Sequence, residues 1–422
     1  MIWPTLLRGN RYIWSLLLPV VLLCVLGILT IEATAGIRTG WLAAAARNQL
    51  IYAGMGLAGM GAVLLVGYQR LGRWALPLFV LGVVLLAWLV VDHLPLVAEQ
   101  RNSRRWLKLL GVQIQPSEIM KIAYVLALAW YLRYRRSYRT LPGLIAPFLI
   151  TLVPMGLILK QPDLGTVLLF LPVLFVMLYV AGAKLKHLAV IVLLGVLCTP
   201  VFWFKIRDYQ RLRIAGVVLQ STALRDYLRD RPELWDQFAS PGTDQDRWRA
   251  ELNKWESRAG YQLVHSKAAI GSGGATGTGW GRGIFVEYNL LLPEKHNDFI
   301  FAMIAYQWGL IGALGVVLCY LVLIVVGCDV ATLTNEPFGR LLAVGLATMI
   351  GVQAFTNLLM TVGLGPVTGI TLPFVSAGGS SLVASFLMLG LLMSIAHRRP
   401  MLIARKPFEF DEEAEAVTGG EA

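Results

Sequence analysis

The sequence predicts an all-α integral membrane protein with about ten transmembrane helices. Hydrophobic residues make up 57% of the 422 residues, whereas charged residues make up only 15%. The mean hydropathy is +0.65. The apolar residues fall into runs of bilayer length, which cross lipid as helices because a helix satisfies its own backbone hydrogen bonds. Soluble proteins carry about a quarter charged residues, so the composition excludes a chain of soluble domains.

Nine uncharged runs are long enough to be predicted as spans, and a tenth candidate, near 117–132, has only a short uncharged part. Glu118 and Lys121 occupy the first turn of this candidate. Counting it gives an even number of spans, so both termini lie on one side. The first run is long for a signal-peptide core, which favours a retained helix. The runs are 12–31, 50–67, 74–91, 117–132, 143–159, 164–182, 187–204, 299–326, 341–362 and 372–395.

The distribution of Lys and Arg predicts that both termini are cytoplasmic. In this orientation the inner segments carry fifteen Lys and Arg residues and the short outer loops carry seven. Cytoplasmic loops normally hold the excess. The outer cluster Arg101–Lys108 runs against this bias, which favours an anion-binding role, with a plain loop as the alternative. Because the topology explains the net charge of +12, no nucleic-acid partner is predicted.

Residues 1–404 are predicted to form one polytopic membrane domain. A large extracytoplasmic loop between helices 7 and 8 spans 205–298 and holds a charged insertion at about 222–258. The insertion mixes seven basic and eight acidic residues, which is typical of a solvated, partly helical segment. Residues 405–422 are acidic and are predicted to form a disordered cytoplasmic tail.

Five polar or Gly/Pro-rich clusters map to outer loops or outer helix ends in this topology. Randomly scattered polar motifs would be divided between the two sides of the membrane. Their convergence therefore predicts one outward-facing site. The clusters are residues 105–106 with 115–118 and 121, then 160–163, 208–213, 292–298 and 365–381.

Ionisable residues at the ends of the apolar runs are the candidate site residues. Glu118 and Lys121, spaced i, i+3, can pair on one helix face in either a structural or a functional role. Asp163 directly precedes an apolar run, so it fits a helix N-cap as well as a ligand. Asp298 also precedes an apolar run. A lysine and a histidine lie within one turn of it, which suits a carboxylate base beside phosphate ligands.

Several other kinds of site are excluded by their missing motifs. The sequence has no HExxH, no Cys/His ligand set and no Walker motif, which argues against a metal hydrolase or an ATPase. The four cysteines have neither metal-type nor disulfide-type spacing. The glycine-rich run Gly271–Gly279 lacks the strand and helix of a dinucleotide fingerprint, and it predicts a flexible loop beside the site.

Five motifs resemble those of the SEDS family of peptidoglycan polymerases, named for shape, elongation, division and sporulation. The resemblance covers nearly the whole chain, apart from residues 222–258 and the tail. It is closer to the elongation (RodA-like) branch than to the division branch. The motifs are QPSEIMK at 115–121, QPDLGT at 161–166, AIGSGG at 269–274, LPEKHNDFIFA at 292–302 and SAGGSS at 376–381.

The resemblance implies an inverting glycosyltransferase that polymerises lipid II on the outer face of the cytoplasmic membrane. Asp298 falls on the family's essential acid, which is implied to deprotonate the acceptor 4-hydroxyl as undecaprenyl pyrophosphate leaves. The implied partners are lipid II, the nascent glycan strand and a class B penicillin-binding protein. No cofactor is assigned, and a divalent cation is left open. The implied substrate-binding residues are Lys121, Glu118, Arg105, Gln161, Asp163, Arg211, Arg213, Lys267, His296 and Ser380.

The chain departs from the family pattern at three places. The family usually carries threonine at Asn297, tyrosine at Ala377 and an acidic pair near Tyr306–Trp308. The last two departures bear on the shape of the cavity and on regulation. None of them removes the implied base.

Two other functions are consistent with the same motifs. A lipid II flippase would need ionisable residues along the whole depth of the membrane, whereas these motifs collect on one side. A non-catalytic scaffold for a class B penicillin-binding protein is the third hypothesis. The departure at 306–308 keeps that hypothesis open.

Overall fold

Helices form most of the described structure. The computed structural model describes residues 3–36, 42–91, 97–100, 103–109, 112–134, 140–203, 211, 216–217, 219–231, 233, 255, 260–287, 292 and 295–398. The helices are α1 Trp3–Gly36, α2 Ala44–Val66, α3 Tyr68–Arg73, α4 Ala75–Val90, α5 Pro116–Leu132, α6 Ile145–Lys160, α7 Leu164–Ala181, α8 Leu185–Trp203, α9 Thr222–Arg229, α10 Tyr261–Gly273, α11 Ile284–Glu287, α12 Ile300–Thr332, α13 Pro337–Val362 and α14 Gly379–His397.

Each of the ten predicted spans coincides with one of these helices. In the described part of the chain, seven helices are long and apolar enough to cross a membrane, and α4 and residues 185–197 of α8 are shorter apolar helices. The remaining match is α5, which has 17 residues and carries Glu118 in its first turn. The number of ten crossings and their sidedness stay predictions.

Helix α5 lies at the centre of the bundle. It packs against α4, α6, α7, α13 and α14, and nearly all of its side chains are buried. The peripheral helices instead expose large apolar side chains, such as Leu193 and Leu197 on α8 and Leu318 on α12. An apolar surface of this kind suits contact with lipid. A charged helix can stay in the bundle because its neighbours shield it.

Small residues let α2 and α14 approach closely. A Cβ added at Gly56 would lie 2.4 Å from the ring of Phe386, and one added at Gly390 would lie 3.1 Å from the backbone of Met60. Glycines at such positions are a common feature of helix contacts in membranes, because dispersion contacts improve as backbones approach. This pair of helices supports the segment that leads into α14.

Helix α12 is longer than its predicted span and is broken at Gly309, where φ is +64°. The backbone groups freed by the break bond to the glycine-rich run. Thr278 N donates to the Tyr306 carbonyl at 2.9 Å, and Leu310 N donates to the Gly274 carbonyl at 2.9 Å. Residues 274–279 therefore form a loop after α10, and its glycines permit close backbone approach to α12.

A small antiparallel sheet lies where the sequence indicated only a loop. Its strands are β1 Val97–Gln100, β2 Ser103–Leu109 and β3 Val112–Ile114, in the order β1-β2-β3. Strand β2 contacts α4 and α5. The basic cluster around Arg105 is thereby held against the bundle.

The last predicted span begins too early. Residues 372–378 are not helical, and α14 starts at Gly379. Pro373 has no N–H to donate, and the Ser376 hydroxyl accepts a hydrogen bond from Leu372 N at 2.7 Å. A side chain that bonds nearby backbone in this way competes with a helix. The apolar run therefore forms a turn before the helix begins.

The large predicted loop is described only in part. Helix α9 falls in the predicted insertion, and α10 and α11 follow it. Residues 234–254 of the insertion and the tail at 405–422 lie outside the described residues.

Candidate active site

A polar cavity of about 370 Å³ lies where β2, the start of α5 and the segments before α7, α12 and α14 meet. Its lining includes two cationic and three carboxylate side chains. Four of the five sequence clusters contribute to it, so the structure brings them together. The lining residues are Arg105, Trp106, Gln115, Glu118, Lys121, Asp163, Thr166, Leu169, Asn297, Asp298, Gly369, Ile370, Thr371, Ala377, Gly378 and Ser381.

The ion pair expected on α5 forms one wall of the cavity. Lys121 Nζ lies 2.7 Å from Glu118 Oε2 and donates to Gln353 Oε1 at 2.7 Å. Both side chains of the pair are nearly fully buried. Because Glu118 compensates the charge of Lys121, this wall is close to neutral and rigid.

Arg105 supplies the other cation from strand β2. Its Nε donates to the Gln161 carbonyl at 2.9 Å, and its Nη2 donates to the Pro162 carbonyl. These partners are neutral, so they orient the guanidinium without cancelling its charge. Arg105 is therefore better suited than Lys121 to bind an anionic group in the cavity.

Gln161 supports the cavity from behind instead of lining it. Its Nε2 donates to the Leu86 carbonyl at 3.0 Å, and its own carbonyl holds Arg105. The expectation that its side chain binds substrate is not met by this placement. The amide is buried and must satisfy its own hydrogen bonds within the protein.

Asp163 caps helix α7 and also lines the cavity. Its carboxylate accepts from Thr166 N at 3.3 Å and from the Thr166 hydroxyl at 2.9 Å. Gln115 Nε2 donates to the same carboxylate at 3.3 Å. Asp163 therefore acts as the N-cap of α7, which was one of its two predicted roles. A contact with substrate would be an additional role.

Asp298 lies in the turn before α12, and it also lines the cavity. The N-cap position of that helix is Phe299. The backbone carbonyl of Asp298 accepts from Asn357 Nδ2 at 2.8 Å. Ser376 Oγ donates to the carbonyl of Asn297 at 2.6 Å. Neighbouring elements thus hold the backbone while the carboxylate lines the cavity.

Gly369 gives the Asp298 carboxylate its space. Its φ is +75°, and an added Cβ would lie 3.3 Å from Asp298 Oδ2. Glycine adopts this left-handed conformation without steric cost. A side chain here would crowd the carboxylate as well as strain the backbone.

His296 and Lys267 do not line this cavity. His296 Nδ1 lies 2.8 Å from the Thr34 hydroxyl, which ties the turn to α1. Lys267 is exposed and donates to Gln220 Oε1 at 3.1 Å. The prediction that His296 and Lys267 bind substrate is therefore not supported, because each side chain bonds to a group outside the cavity.

Ser380 and the two arginines complete the comparison with the predicted site. Ser380 Oγ donates to the Gln113 carbonyl at 3.1 Å and accepts from Gln115 N, so it fixes β3 to α14. The next residue, Ser381, lines the cavity in its place. Arg211 is fully buried and does not line the cavity, and Arg213 lies outside the described residues.

Lys295 is a buried cation that stabilises the turn before Asp298. Its Nζ donates to the carbonyls of Phe285 and Val286 at 3.0 and 3.1 Å. Burial lowers its pKa to about 8, because desolvation disfavours the charged amine. Its role is to attach α11 to the turn.

Sequence reasoning missed the two amides that support the site. Gln353 and Asn357 lie within the apolar run at 341–362 and bond to two of the lining residues. Polar side chains inside a transmembrane span cost free energy and are usually functional. The position of these two amides within an apolar run could therefore have identified them from the sequence. Thr371 and Ser381, whose hydroxyls lie 2.7 Å apart, carried no comparable signal.

The departures from the family pattern differ in their relation to the cavity. Ala377 lines it, so its small side chain enlarges the space there. Tyr306 and Gln307 do not line it. Their carbonyls accept from the glycine-rich run. The departure at 306–308 therefore concerns the packing of α12 and not the lining.

The described residues contain no group of three or more His, Cys, Asp or Glu side chains close enough to hold a metal ion. Two of the three lining carboxylates have partners within the protein: Glu118 pairs with Lys121, and Asp163 caps α7.

Known proteins share these sequence and structural features. The family model for cell cycle proteins of the FtsW, RodA and SpoVE type matches residues 10–400. Peptidoglycan glycosyltransferase MrdB of Escherichia coli K12 is 32% identical over 391 residues, which cover 91% of this chain and 94% of MrdB. FtsW of Geobacter metallireducens is 32% identical over 359 residues, which cover 83% of this chain and 84% of that protein.

Solved structures share the fold as well. One chain from a peptidoglycan synthase complex that coordinates polymerization and crosslinking has a TM-score of 0.71 and 28% identity, covering 92% of this chain and 98% of that one. RodA of Thermus thermophilus has a TM-score of 0.61 and 26% identity, covering 92% and 97%. The predicted helical membrane fold and the predicted family are both confirmed, and the chain belongs to the FtsW, RodA and SpoVE family.

Proposed function

We propose that the chain is a peptidoglycan glycosyltransferase that polymerises lipid II into glycan strands. The observation that carries the proposal is the polar cavity, in which the Asp298 carboxylate lines the same space as Arg105. The named activity of the relatives MrdB and FtsW supports the reaction class. The site is placed on the extracytoplasmic side by the predicted topology.

The proposed reaction inverts the donor sugar and needs one base. Asp298 takes the proton of the acceptor 4-hydroxyl as that oxygen attacks C1 of the lipid-linked donor sugar. The bond from C1 to the phosphate oxygen breaks, and undecaprenyl pyrophosphate leaves with the electron pair. Arg105 stabilises the charge that grows on the diphosphate, because neutral carbonyls orient it without neutralising it.

Two further features of the proposal follow from the relatives. A class B penicillin-binding protein is the proposed partner, since one matched chain comes from a complex that couples polymerization to crosslinking. The proposed role is cell elongation. The structural match to RodA of Thermus thermophilus, a rod shape determining protein, supports this role.

The base assignment is tested with Asp298→Asn. The purified wild type should convert lipid II into glycan polymer without any added transglycosylase. Asp298→Asn should bind lipid II but polymerise it at least about a hundredfold more slowly, since a general base typically contributes a factor of 10² or more. Asp329→Asn makes the same change at an exposed residue near the other end of α12. It should retain wild-type activity.

The same experiment separates the rival functions. A scaffold predicts that the purified wild type makes no polymer. A flippase predicts that Asp298→Asn affects transport between leaflets of a vesicle while no polymer forms in either protein. Full polymerisation by Asp298→Asn would end the assignment of Asp298 as the base.

A further inference from the structure

Two buried amide side chains lie one turn apart on helix α13. Gln353 and Asn357 are spaced i, i+4, so they project from the same face of the helix. Gln353 is 1% exposed and Asn357 is 0% exposed. A buried amide destabilises the fold unless it is hydrogen-bonded. The groups that these amides bind therefore indicate what this face of α13 holds in place.

Gln353 connects α5 to the segment before α14. Its Oε1 accepts from Lys121 Nζ at 2.7 Å, and its Nε2 donates to the Thr371 carbonyl at 3.0 Å. Lys121 is thus held from two sides, by Glu118 and by Gln353. The amide fixes the direction of the ammonium group, which an ion pair alone would leave freer to rotate.

Asn357 connects the Asp298 backbone to the same segment. Its Nδ2 donates to the Asp298 carbonyl at 2.8 Å and to the Ile370 carbonyl at 2.6 Å. Both partners are carbonyl oxygens, so only the NH₂ end of the amide can face them. Asn357 therefore holds the residue that carries the carboxylate against the residue beside Gly369.

The two amides act on adjacent residues. Ile370 is held by Asn357, and Thr371 is held by Gln353. One short segment is thereby tied, through the two amides, to Lys121 and to Asp298, which both line the polar cavity. A single helix face therefore holds these two lining residues relative to each other.

We propose that Gln353 and Asn357 are a positioning pair that sets the separation and orientation of Lys121 and Asp298. This inference rests on the proposed function, because it takes Asp298 as the base. Neither amide is among the residues that line the cavity, so both act through the residues they bind. Loss of such positioning lowers the rate of the reaction more than the affinity for substrate.

The test uses Gln353→Met and Asn357→Leu, which remove the amide and keep much of the side-chain volume. In polymerisation of lipid II by the purified full chain, kcat should fall roughly tenfold to a hundredfold, as expected for a small misplacement of catalytic groups. KM and the directly measured affinity for lipid II should stay within about twofold of the wild type. Gln353→Glu keeps an acceptor for Lys121 and should recover part of the kcat.

Thr361→Val is the matched control. Thr361 is fully buried, lies one turn beyond Asn357, and donates its hydroxyl only within its own helix, to the carbonyls of Asn357 and Leu358. Its removal costs a buried hydrogen bond on the same helix without touching Lys121 or Asp298. This variant should keep the wild-type kcat.

The outcomes separate this inference from the proposed function. If Asp298→Asn is inactive while both amide variants keep full kcat, only the positioning role fails. It also fails if their loss equals that of Thr361→Val, or if they lose lipid II affinity with kcat unchanged. If Asp298→Asn keeps full polymerisation, the assignment of Asp298 as the base fails. If the purified wild type makes no polymer, the proposed function itself fails. Should Asn357→Leu not fold, the comparison of Gln353→Met with Gln353→Glu decides.

Discussion

Helix α5 has a cavity near each end, and the two cavities are almost equal in size. The polar cavity, near the start of the helix, has a volume of about 370 Å³, and an apolar cavity near its end has a volume of about 350 Å³. Two α5 residues, Glu118 and Lys121, line the polar cavity, and three others line the apolar one. The apolar cavity is lined by Leu76, Phe79, Ala127, Trp130, Tyr131, Arg133, Tyr134 and Ile150.

The two cavities use charge in different ways. In the polar cavity, Lys121 pairs with a carboxylate and Arg105 is oriented by carbonyls. In the apolar cavity, the Arg133 guanidinium lies 3.0 Å from the centre of the Trp130 ring, and that ring packs edge-on against Phe338. The first arrangement prepares charges for a ligand, and the second is packing. The chemistry of the lining, and not the size of the cavity, therefore distinguishes the candidate active site.

The largest effect is expected from Lys121→Met. This change leaves Glu118 buried without its cation, which typically costs about 3–5 kcal/mol. Both the thermal stability of the purified protein and its polymerisation of lipid II should fall strongly. The double variant Glu118→Gln/Lys121→Met removes both charges and should recover stability but not activity. Recovery of activity would show that the pair is purely structural.

A smaller effect is expected from Gly369→Ala. The left-handed backbone costs an alanine about 1–2 kcal/mol, and the new methyl group would lie 3.3 Å from Asp298 Oδ2. The backbone strain should lower stability, and the crowding of the carboxylate should lower kcat about tenfold, which corresponds to about 1.36 kcal/mol of lost transition-state stabilisation. The control is Gly279→Ala, where φ is +94° and the nearest atom is 3.7 Å away on Arg282. Equal losses of activity in Gly369→Ala and Gly279→Ala would show that the loss does not come from crowding of Asp298.

Trp130→Leu tests the apolar cavity. The change removes an aromatic pair whose rings lie 5.3 Å apart, a contact worth about 0.5–1.5 kcal/mol beyond burial. Thermal unfolding should shift to lower temperature while kcat stays within about twofold of the wild type. A large loss of kcat without a loss of stability would give this cavity a role in the reaction.

The smallest effect is expected from Lys267→Gln. Lys267 is exposed, bonds to Gln220, and lies outside the polar cavity. Exposed polar contacts contribute little to stability. Activity, KM and unfolding temperature should match the wild type within error. A clear rise in KM would return Lys267 to the set of substrate ligands.

Much of the helical framework was predictable, because an apolar run of bilayer length has few alternatives in lipid. The Glu118–Lys121 pair was also predictable, since its i, i+3 spacing is local. The start of α14 was not, because a serine hydroxyl bonds the backbone of the preceding turn. The small sheet was missed because its three strands are short and pair only with each other.

The sequence by itself determined the class of the protein, the helices and the motifs that mark its family, because these depend on local hydropathy and spacing. Only the tertiary structure decided which polar residues meet. Lys121 donates a hydrogen bond to Gln353, which lies 232 positions later in the chain. His296 and Lys267 instead bond to residues outside the cavity. Contacts of this kind depend on how helices pack. No local pattern specifies which distant group a side chain will reach.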